Sequence, residues 1–146
     1  MSINKNKNTL AAGQSGSTPT GGGLRFKKIW RSLAYLIILI IIVLSLMPNP
    51  DKITPFSTSD KLMHALAYAV SMFWFGLCFK REKLFGIGAG LILLGVALEF
   101  IQGQTGYRTM SFYDIVANCV GVFVGLALSF SRLSKFLQYI ERRLLK

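Results

Sequence analysis

The sequence has few of the residues on which soluble enzymes and disulfide-linked domains usually depend. Its 146 residues include six Asp and Glu against 17 Lys and Arg, with one His, two Cys and four Pro. Only 16% of the residues are charged and 52% are hydrophobic, which is too apolar for an ordinary soluble surface. Cys78 and Cys119 do not make a disulfide framework, because their predicted depths differ. We interpret both as small apolar packing residues.

Long hydrophobic runs are abundant instead. Four apolar segments cover about 30–47, 62–79, 84–101 and 111–130, and each approaches the roughly 20 residues that span a bilayer. Residues 131–146 alternate apolar and basic side chains at helical spacing. The sequence therefore predicts an all-α integral membrane bundle of four transmembrane helices plus a C-terminal amphipathic helix on the cytoplasmic membrane surface. Residues 24–130 would form one domain, preceded by a polar tail, 1–23, that we expect to be disordered.

The basic residues predict how the bundle is oriented. Fourteen of the 17 Lys and Arg residues lie in 1–31, in the 80–83 turn or in the tail after residue 130. Basic loops remain in the cytoplasm, so both termini are predicted to be cytoplasmic. The net charge of +11 is then explained by membrane orientation and anionic lipid, and no nucleic-acid partner is expected.

Polar residues from three segments fall in one layer near the outer ends of the predicted helices. Residues three or four apart share a helix face, so these side chains can line a small cavity that opens outwards. Ionisable groups within a membrane are candidates for function. The predicted ligand-binding residues are Asp60, Lys61, His64, Tyr68, Glu99, Gln102, Arg108, Asp114 and Asn118.

The chemistry of this layer admits more than one interpretation. His64, Glu99 and Asp114 are the candidate catalytic acid and base groups, and the Arg108 guanidinium can bridge two carboxylates. The same residues can instead form an interhelical polar lock without further function. Asp60 completes a composition that could hold a metal, but zinc sites usually contain more His or Cys. No metal or cofactor is therefore expected.

Two pairs of glycines have the small-xxx-small spacing that allows close helix packing. They are Gly86 with Gly90 in the third segment and Gly121 with Gly125 in the fourth. This spacing is common in membrane helices. We predict that both pairs lie at helix–helix contacts.

Three motifs together resemble the VanZ-like family of small bacterial multi-pass membrane proteins. They are DKLMHALAY at 60–68, ALEFIQ at 97–102 and GYR followed by YDIVANCVGVFVG within 106–125. The resemblance covers roughly residues 33 to 130. It implies a protein of the bacterial inner membrane and cell envelope, in a family associated with glycopeptide antibiotic resistance.

The layer and the resemblance together favour a protein that binds an envelope lipid or another amphiphile and contributes to glycopeptide tolerance. One alternative is a membrane enzyme acting on a lipid-linked envelope substrate, and another is a structural membrane protein with a polar lock. Membrane lipids are the expected partners. The sequence leaves open whether a reaction is catalysed and whether the chain forms an oligomer.

Overall fold

The structure is a computed structural model that describes residues 26–48 and 58–144, and this part of the chain is all-helical. The helices are α1 (Lys27–Leu46), α2 (Thr58–Cys78), α3 (Arg81–Gln104), α4 (Phe112–Ser129) and α5 (Phe136–Leu144), with a 3₁₀ turn at Arg132–Lys135 before α5. The first four are long and apolar enough to cross a membrane. The predicted all-α, multi-pass membrane fold is confirmed. The predicted disordered tail, 1–23, lies outside the described residues.

The helix ends follow from local backbone chemistry. Met47 has an extended conformation, with φ −67° and ψ 137°, as is usual for a residue that precedes proline, so α1 ends before Pro48. Gly106, with φ 75°, lies two residues beyond the end of α3, where a left-handed glycine commonly follows a helix. Helix α3 continues to Gln104, so Gln102, which follows the predicted segment 84–101, belongs to the helix.

Helices α2 and α4 form the most extensive contact of the bundle. Gly121 lies against the carbonyl of Ala65, and Gly125 lies against the carbonyl of Ala69. A Cβ atom at either glycine would overlap the α2 backbone. The two glycines therefore set the separation between α2 and α4, and with it the position of the polar groups that these helices share.

The other glycine pair differs from the prediction. Gly86 and Gly90 are exposed, and a Cβ atom at either position would meet nothing within 4 Å. Their face of α3 therefore contacts no described helix of this chain. Gly88, on a different face, is buried and lies near Val122 and Met72.

The apolar side chains are divided between an interior core and the outer face of the bundle. Met72 and Leu84 are fully buried in the core. In contrast, Phe85, Leu93 and Phe123 are more than 60% exposed. Such large exposed apolar surfaces are unfavourable in water, whereas a lipid bilayer solvates them.

Helix α5 docks on the bundle at the end opposite the polar layer. The Leu137 side chain is buried with Leu77 and Cys78. Glu141 is 4% exposed, and its carboxylate accepts hydrogen bonds from the Trp30 indole N–H at 2.7 Å and from the Phe26 backbone N–H at 3.0 Å. The amphipathic helix therefore uses its apolar face, together with one buried carboxylate, to contact the start of α1 and the end of α2.

Candidate functional site

The polar layer begins on the facing first turns of α2 and α4. His64 lies one turn after Asp60, and Asn118 lies one turn after Asp114, so each helix presents a pair of polar residues on one face. The Nδ1 atom of His64 is 3.2 Å from Oδ1 of Asn118. Its Nε2 atom is 4.0 Å from Oδ2 of Asp114. The His64 ring therefore lies between the two polar residues of α4.

Asp60 connects this group to the loop between α3 and α4. Its Oδ2 atom is 4.0 Å from Nη2 of Arg108, and the Nη1 atom of Arg108 donates a hydrogen bond of 3.1 Å to the Ser45 carbonyl near the end of α1. The bridge that we predicted from Arg108 to two carboxylates is thus replaced by one carboxylate and one backbone carbonyl. This arrangement joins the ends of α1, α2 and the α3–α4 loop.

Glu99 accepts a hydrogen bond from a backbone amide at the start of α4. Its Oε1 atom accepts a hydrogen bond of 2.6 Å from the backbone N–H of Ser111, the residue before α4. A carboxylate at this position satisfies a free amide at the helix start and interacts favourably with the helix dipole. Since Glu99 is only 1% exposed, this contact fixes the start of α4 against α3 inside the protein.

Two more side chains from the same region bind the last turn of α1. Gln102 donates a hydrogen bond of 2.6 Å from Nε2 to the Ser45 carbonyl, and the Tyr107 hydroxyl donates one of 2.8 Å to the Leu46 carbonyl. The last carbonyls of a helix have no partner within it. Gln102, Tyr107 and Arg108 supply such partners, and we call these three residues with Glu99 the loop clamp.

Two buried oxygen atoms are left without a hydrogen-bond partner among the described residues. They are the Tyr68 hydroxyl and Oδ1 of Asp114. Tyr68 is 2% exposed and Asp114 is 6% exposed. Leaving such a group unsatisfied costs about 1–3 kcal/mol, so each one calls for an explanation.

The glycine of α3 nearest to this region leaves room beside the unpartnered hydroxyl. A Cβ atom at Gly95 would lie 3.0 Å from Nδ2 of Asn118 and 3.1 Å from the Tyr68 hydroxyl. Only a residue without a side chain leaves both polar groups uncrowded. The polar groups of α2 and α4 thus meet the bare backbone of α3.

Eight of the nine predicted ligand-binding residues separate into two sets in the structure, and Lys61 lies outside both. Asp60, His64, Tyr68, Asp114 and Asn118 are shared between α2 and α4, and we call them the His64 cluster. Glu99, Gln102 and Arg108 belong to the loop clamp. Lys61 lies over the Tyr113 ring, 5.9 Å from its centroid. Arg108 is the link between the two sets, through Asp60.

Sequence reasoning missed several participants because they contribute backbone atoms or no side chain at all. The Ser45 and Leu46 carbonyls and the Ser111 amide have no signature in a residue pattern. Gly95 did have a signal in the sequence, because Gly95, Glu99 and Gln102 recur at helical spacing and so share one face of the helix. In the structure all three residues are buried.

Comparisons with known proteins provide one relative and no function. The chain is 31% identical over 118 residues to the uncharacterized protein C11E3.10 of Schizosaccharomyces pombe, which corresponds to 78% of this chain and 67% of the relative. The chain therefore belongs to the same family as this fission yeast protein. No family model matches the chain, and no solved structure matches it.

These findings correct the resemblance drawn from the three motifs. Assignment to the bacterial VanZ-like family is wrong, since no family model supports it and the matched relative is eukaryotic. The motifs misled because short polar patterns at helical spacing also satisfy contacts within the bundle, such as those of Glu99 and Gln102. The implied bacterial inner membrane and antibiotic resistance are left without support.

Proposed function

We propose that this multi-pass membrane protein binds the polar head group of a membrane lipid or another amphiphile at the His64 cluster. The observation on which this rests is the pair of buried, unpartnered oxygen atoms, the Tyr68 hydroxyl and Asp114 Oδ1. They lie where α2 and α4 meet, close to one end of an apolar bundle. A head group that supplies hydrogen-bond partners there would remove the cost of leaving both atoms unsatisfied.

Access to the cluster comes from the end of the bundle near the α3–α4 loop. The side chains of His64 and Asp60 are 14% and 18% exposed, whereas Asp114 and Tyr68 are almost completely buried. A head group would therefore enter past His64 and Asp60 before it contacts the buried oxygen atoms of Asp114 and Tyr68. The apolar outer faces of the same helices would accommodate the acyl or prenyl part in the bilayer.

The chemistry of the cluster selects among head groups. Asp114 Oδ1 accepts hydrogen bonds, whereas Tyr68 both donates and accepts them. Hydroxyl-rich or amine-bearing head groups suit these atoms directly. The Arg108 guanidinium at the entrance adds a site of attraction for a phosphate, while the Asp60 carboxylate beside it repels one.

The loop clamp supports this function by holding the entrance in place. Each of its contacts joins two elements, as when Glu99 joins α3 to the start of α4. The interhelical polar lock that the sequence also allowed therefore describes Glu99 and Gln102 best. It does not account for the two unsatisfied oxygen atoms of the His64 cluster.

Orientation is part of the proposal. With basic loops in the cytoplasm, the His64 cluster faces the opposite side of the membrane, and both termini are cytoplasmic. In sealed membrane vesicles with the cytoplasmic face outward, a Thr109→Cys variant should react with a membrane-impermeant maleimide only after detergent is added, and reaction in the intact vesicles would contradict this orientation.

The test of the proposed function is extraction in a mild detergent followed by native mass spectrometry. We expect the protein to retain a small amphiphile, identified by its mass after dissociation. A chain that retains none, and gains none on addition of membrane lipid extract, would contradict head-group binding. Conversion of an added lipid into a new product would instead favour the enzyme alternative, with His64 and Asp114 as the acid and base pair.

A further inference from the structure

We propose that Asp60, His64 and Asp114 form a binding site for one divalent transition-metal cation, of which Zn²⁺ is the best match. Each residue offers one ligand atom, and these three atoms all lie within 4.8 Å of one another. They come from the first two turns of α2 and the first turn of α4. A role of this cation in binding a head group rests on the proposed function, whereas the cation site itself is argued independently of it.

The hydrogen bond between His64 and Asn118 prepares the ring for a metal. Asn118 Oδ1 is an acceptor, so the Nδ1 atom of His64 at 3.2 Å bears the proton. In the neutral ring, Nε2 then has the free lone pair. Metal-bound histidines commonly have this arrangement, in which the second nitrogen donates to a fixed acceptor and sets the tautomer.

The opposite side of the ring faces a carboxylate across a gap that a cation could occupy. Nε2 of His64 and Oδ2 of Asp114 are 4.0 Å apart, too far for a direct hydrogen bond. Zn²⁺ binds histidine nitrogen and carboxylate oxygen at about 2.0–2.2 Å, which places two tetrahedral ligand atoms about 3.4 Å apart. The three side chains must therefore draw together slightly around a bound cation. Without such a cation, the Nε2 lone pair of a neutral His64 ring and the Asp114 carboxylate would face each other as two acceptors and repel.

A second and separate observation points to a ligand at this position. Oδ1 of Asp114 is buried without a hydrogen-bond partner among the described residues, and Asp114 is 6% exposed. A buried carboxylate that is not fully hydrogen-bonded is costly, and coordination to a cation would offset that cost.

Charge and ligand type narrow the identity of the cation. Asp60 and Asp114 are two carboxylates, and Arg108, 4.0 Å from Asp60, offsets one of them. Mg²⁺ and Ca²⁺ prefer oxygen ligands alone, whereas an imidazole nitrogen favours Zn²⁺ and its neighbours in the transition series. Three protein ligands would leave a fourth position open to water or to a phosphate or hydroxyl of a head group.

The test uses the full-length protein without a histidine tag, purified in detergent and stripped with EDTA. After incubation with Zn²⁺ and desalting, we expect about one zinc per chain by elemental mass spectrometry. His64→Ala and Asp114→Asn should weaken binding by at least about 100-fold, and Asn118→Ala by about 10–100-fold through its effect on His64. Glu82→Gln, which alters an exposed carboxylate at the other end of α3, should bind like the unmodified chain.

Two results would overturn the cation site. One is an unmodified chain that retains no zinc. The other is zinc retention unchanged in well-folded His64→Ala and Asp114→Asn variants. If these variants aggregate, the zinc stoichiometry of the unmodified chain and the X-ray absorption spectrum of the bound Zn²⁺ decide, and a spectrum without an imidazole ligand would also overturn the proposal.

The zinc measurement needs no lipid, so it can fail independently of the proposed function. Retention of an amphiphile by EDTA-stripped protein that binds no zinc would contradict the cation site alone. Zinc binding by a chain that retains no amphiphile would contradict head-group binding alone.

Discussion

Glu99 and Ser111 join two transmembrane helices through a hydrogen bond of 2.6 Å between a buried carboxylate and a backbone amide. Ser111 immediately precedes α4, and its own side chain makes no capping hydrogen bond there. The start of α4 thus depends on a carboxylate from α3, twelve residues earlier in the chain. This contact positions the first turn of α4, which contains Asp114.

Replacement of Glu99 should therefore destabilise the bundle. Glu99→Ala leaves the Ser111 amide without its partner and opens a cavity, with an expected loss of about 1–3 kcal/mol in the free energy of unfolding. Glu99→Gln keeps an acceptor oxygen and should lose less. SDS-induced unfolding in mixed micelles measures both variants. Equal stability of Glu99→Ala and the unmodified chain would show that the contact contributes nothing.

The glycines at the α2–α4 contact provide a second prediction. Gly121→Ala places a Cβ atom on the Ala65 carbonyl, so the two helices must separate, and we expect a loss of about 1–3 kcal/mol. Gly90→Ala is the matched control, because open space surrounds that position. It should leave stability unchanged or slightly raised. Similar values for the two variants in the same unfolding titration would argue against the close contact.

The docking of α5 depends on one buried carboxylate. Glu141→Ala removes the acceptor for the Trp30 indole and the Phe26 amide, and we expect α5 to detach from the bundle. Limited proteolysis should then cleave within 131–144 faster than in the unmodified chain, by about tenfold for a loss near 1.4 kcal/mol. Arg142→Ala, at an exposed position of the same helix, is the control. Unchanged cleavage of the Glu141 variant would show that the apolar contact of Leu137, and not the Glu141 carboxylate, holds α5 on the bundle.

Tyr68 distinguishes a binding site from a polar lock. Its hydroxyl has no partner among the described residues, so Tyr68→Phe should leave the free energy of unfolding of ligand-free protein unchanged or raise it by up to about 1–3 kcal/mol. If the hydroxyl contacts a head group, the same variant should retain less amphiphile. A clear loss of stability without ligand would indicate a structural hydrogen bond instead.

Local sequence signals were sufficient for the helices but not for their contacts. Apolar length placed four spans, and Pro48 and Gly106 mark two helix ends by backbone chemistry alone. The spacing of glycines did not show which pair is at a contact, since Gly86 and Gly121 look alike until the partner helix is known. Likewise, charge suggested that Arg108 bridges two carboxylates, whereas the three-dimensional approach of α4 supplied Glu99 with a backbone amide.

The candidate site was predicted as one layer and is found as two sets for a related reason. Helical phase placed Asp60 with His64 and Asp114 with Asn118, and those pairs do face each other in the structure. The role of the α1 end was invisible, because the Ser45 carbonyl that binds Gln102 and Arg108 is a backbone atom. Backbone acceptors are present at every residue and are selected only by the fold.

The most direct test of the central claim compares amphiphile occupancy between two variants that each remove one carboxylate. Asp114→Asn alters the buried, unpartnered oxygen site, whereas Glu82→Gln alters an exposed position at the other end of α3. By native mass spectrometry of protein extracted in mild detergent, head-group binding predicts at least a fivefold loss of bound amphiphile for Asp114→Asn, equivalent to about 1 kcal/mol, and none for Glu82→Gln. Equal occupancy in the two variants, with both folded, would contradict a head-group site at the His64 cluster.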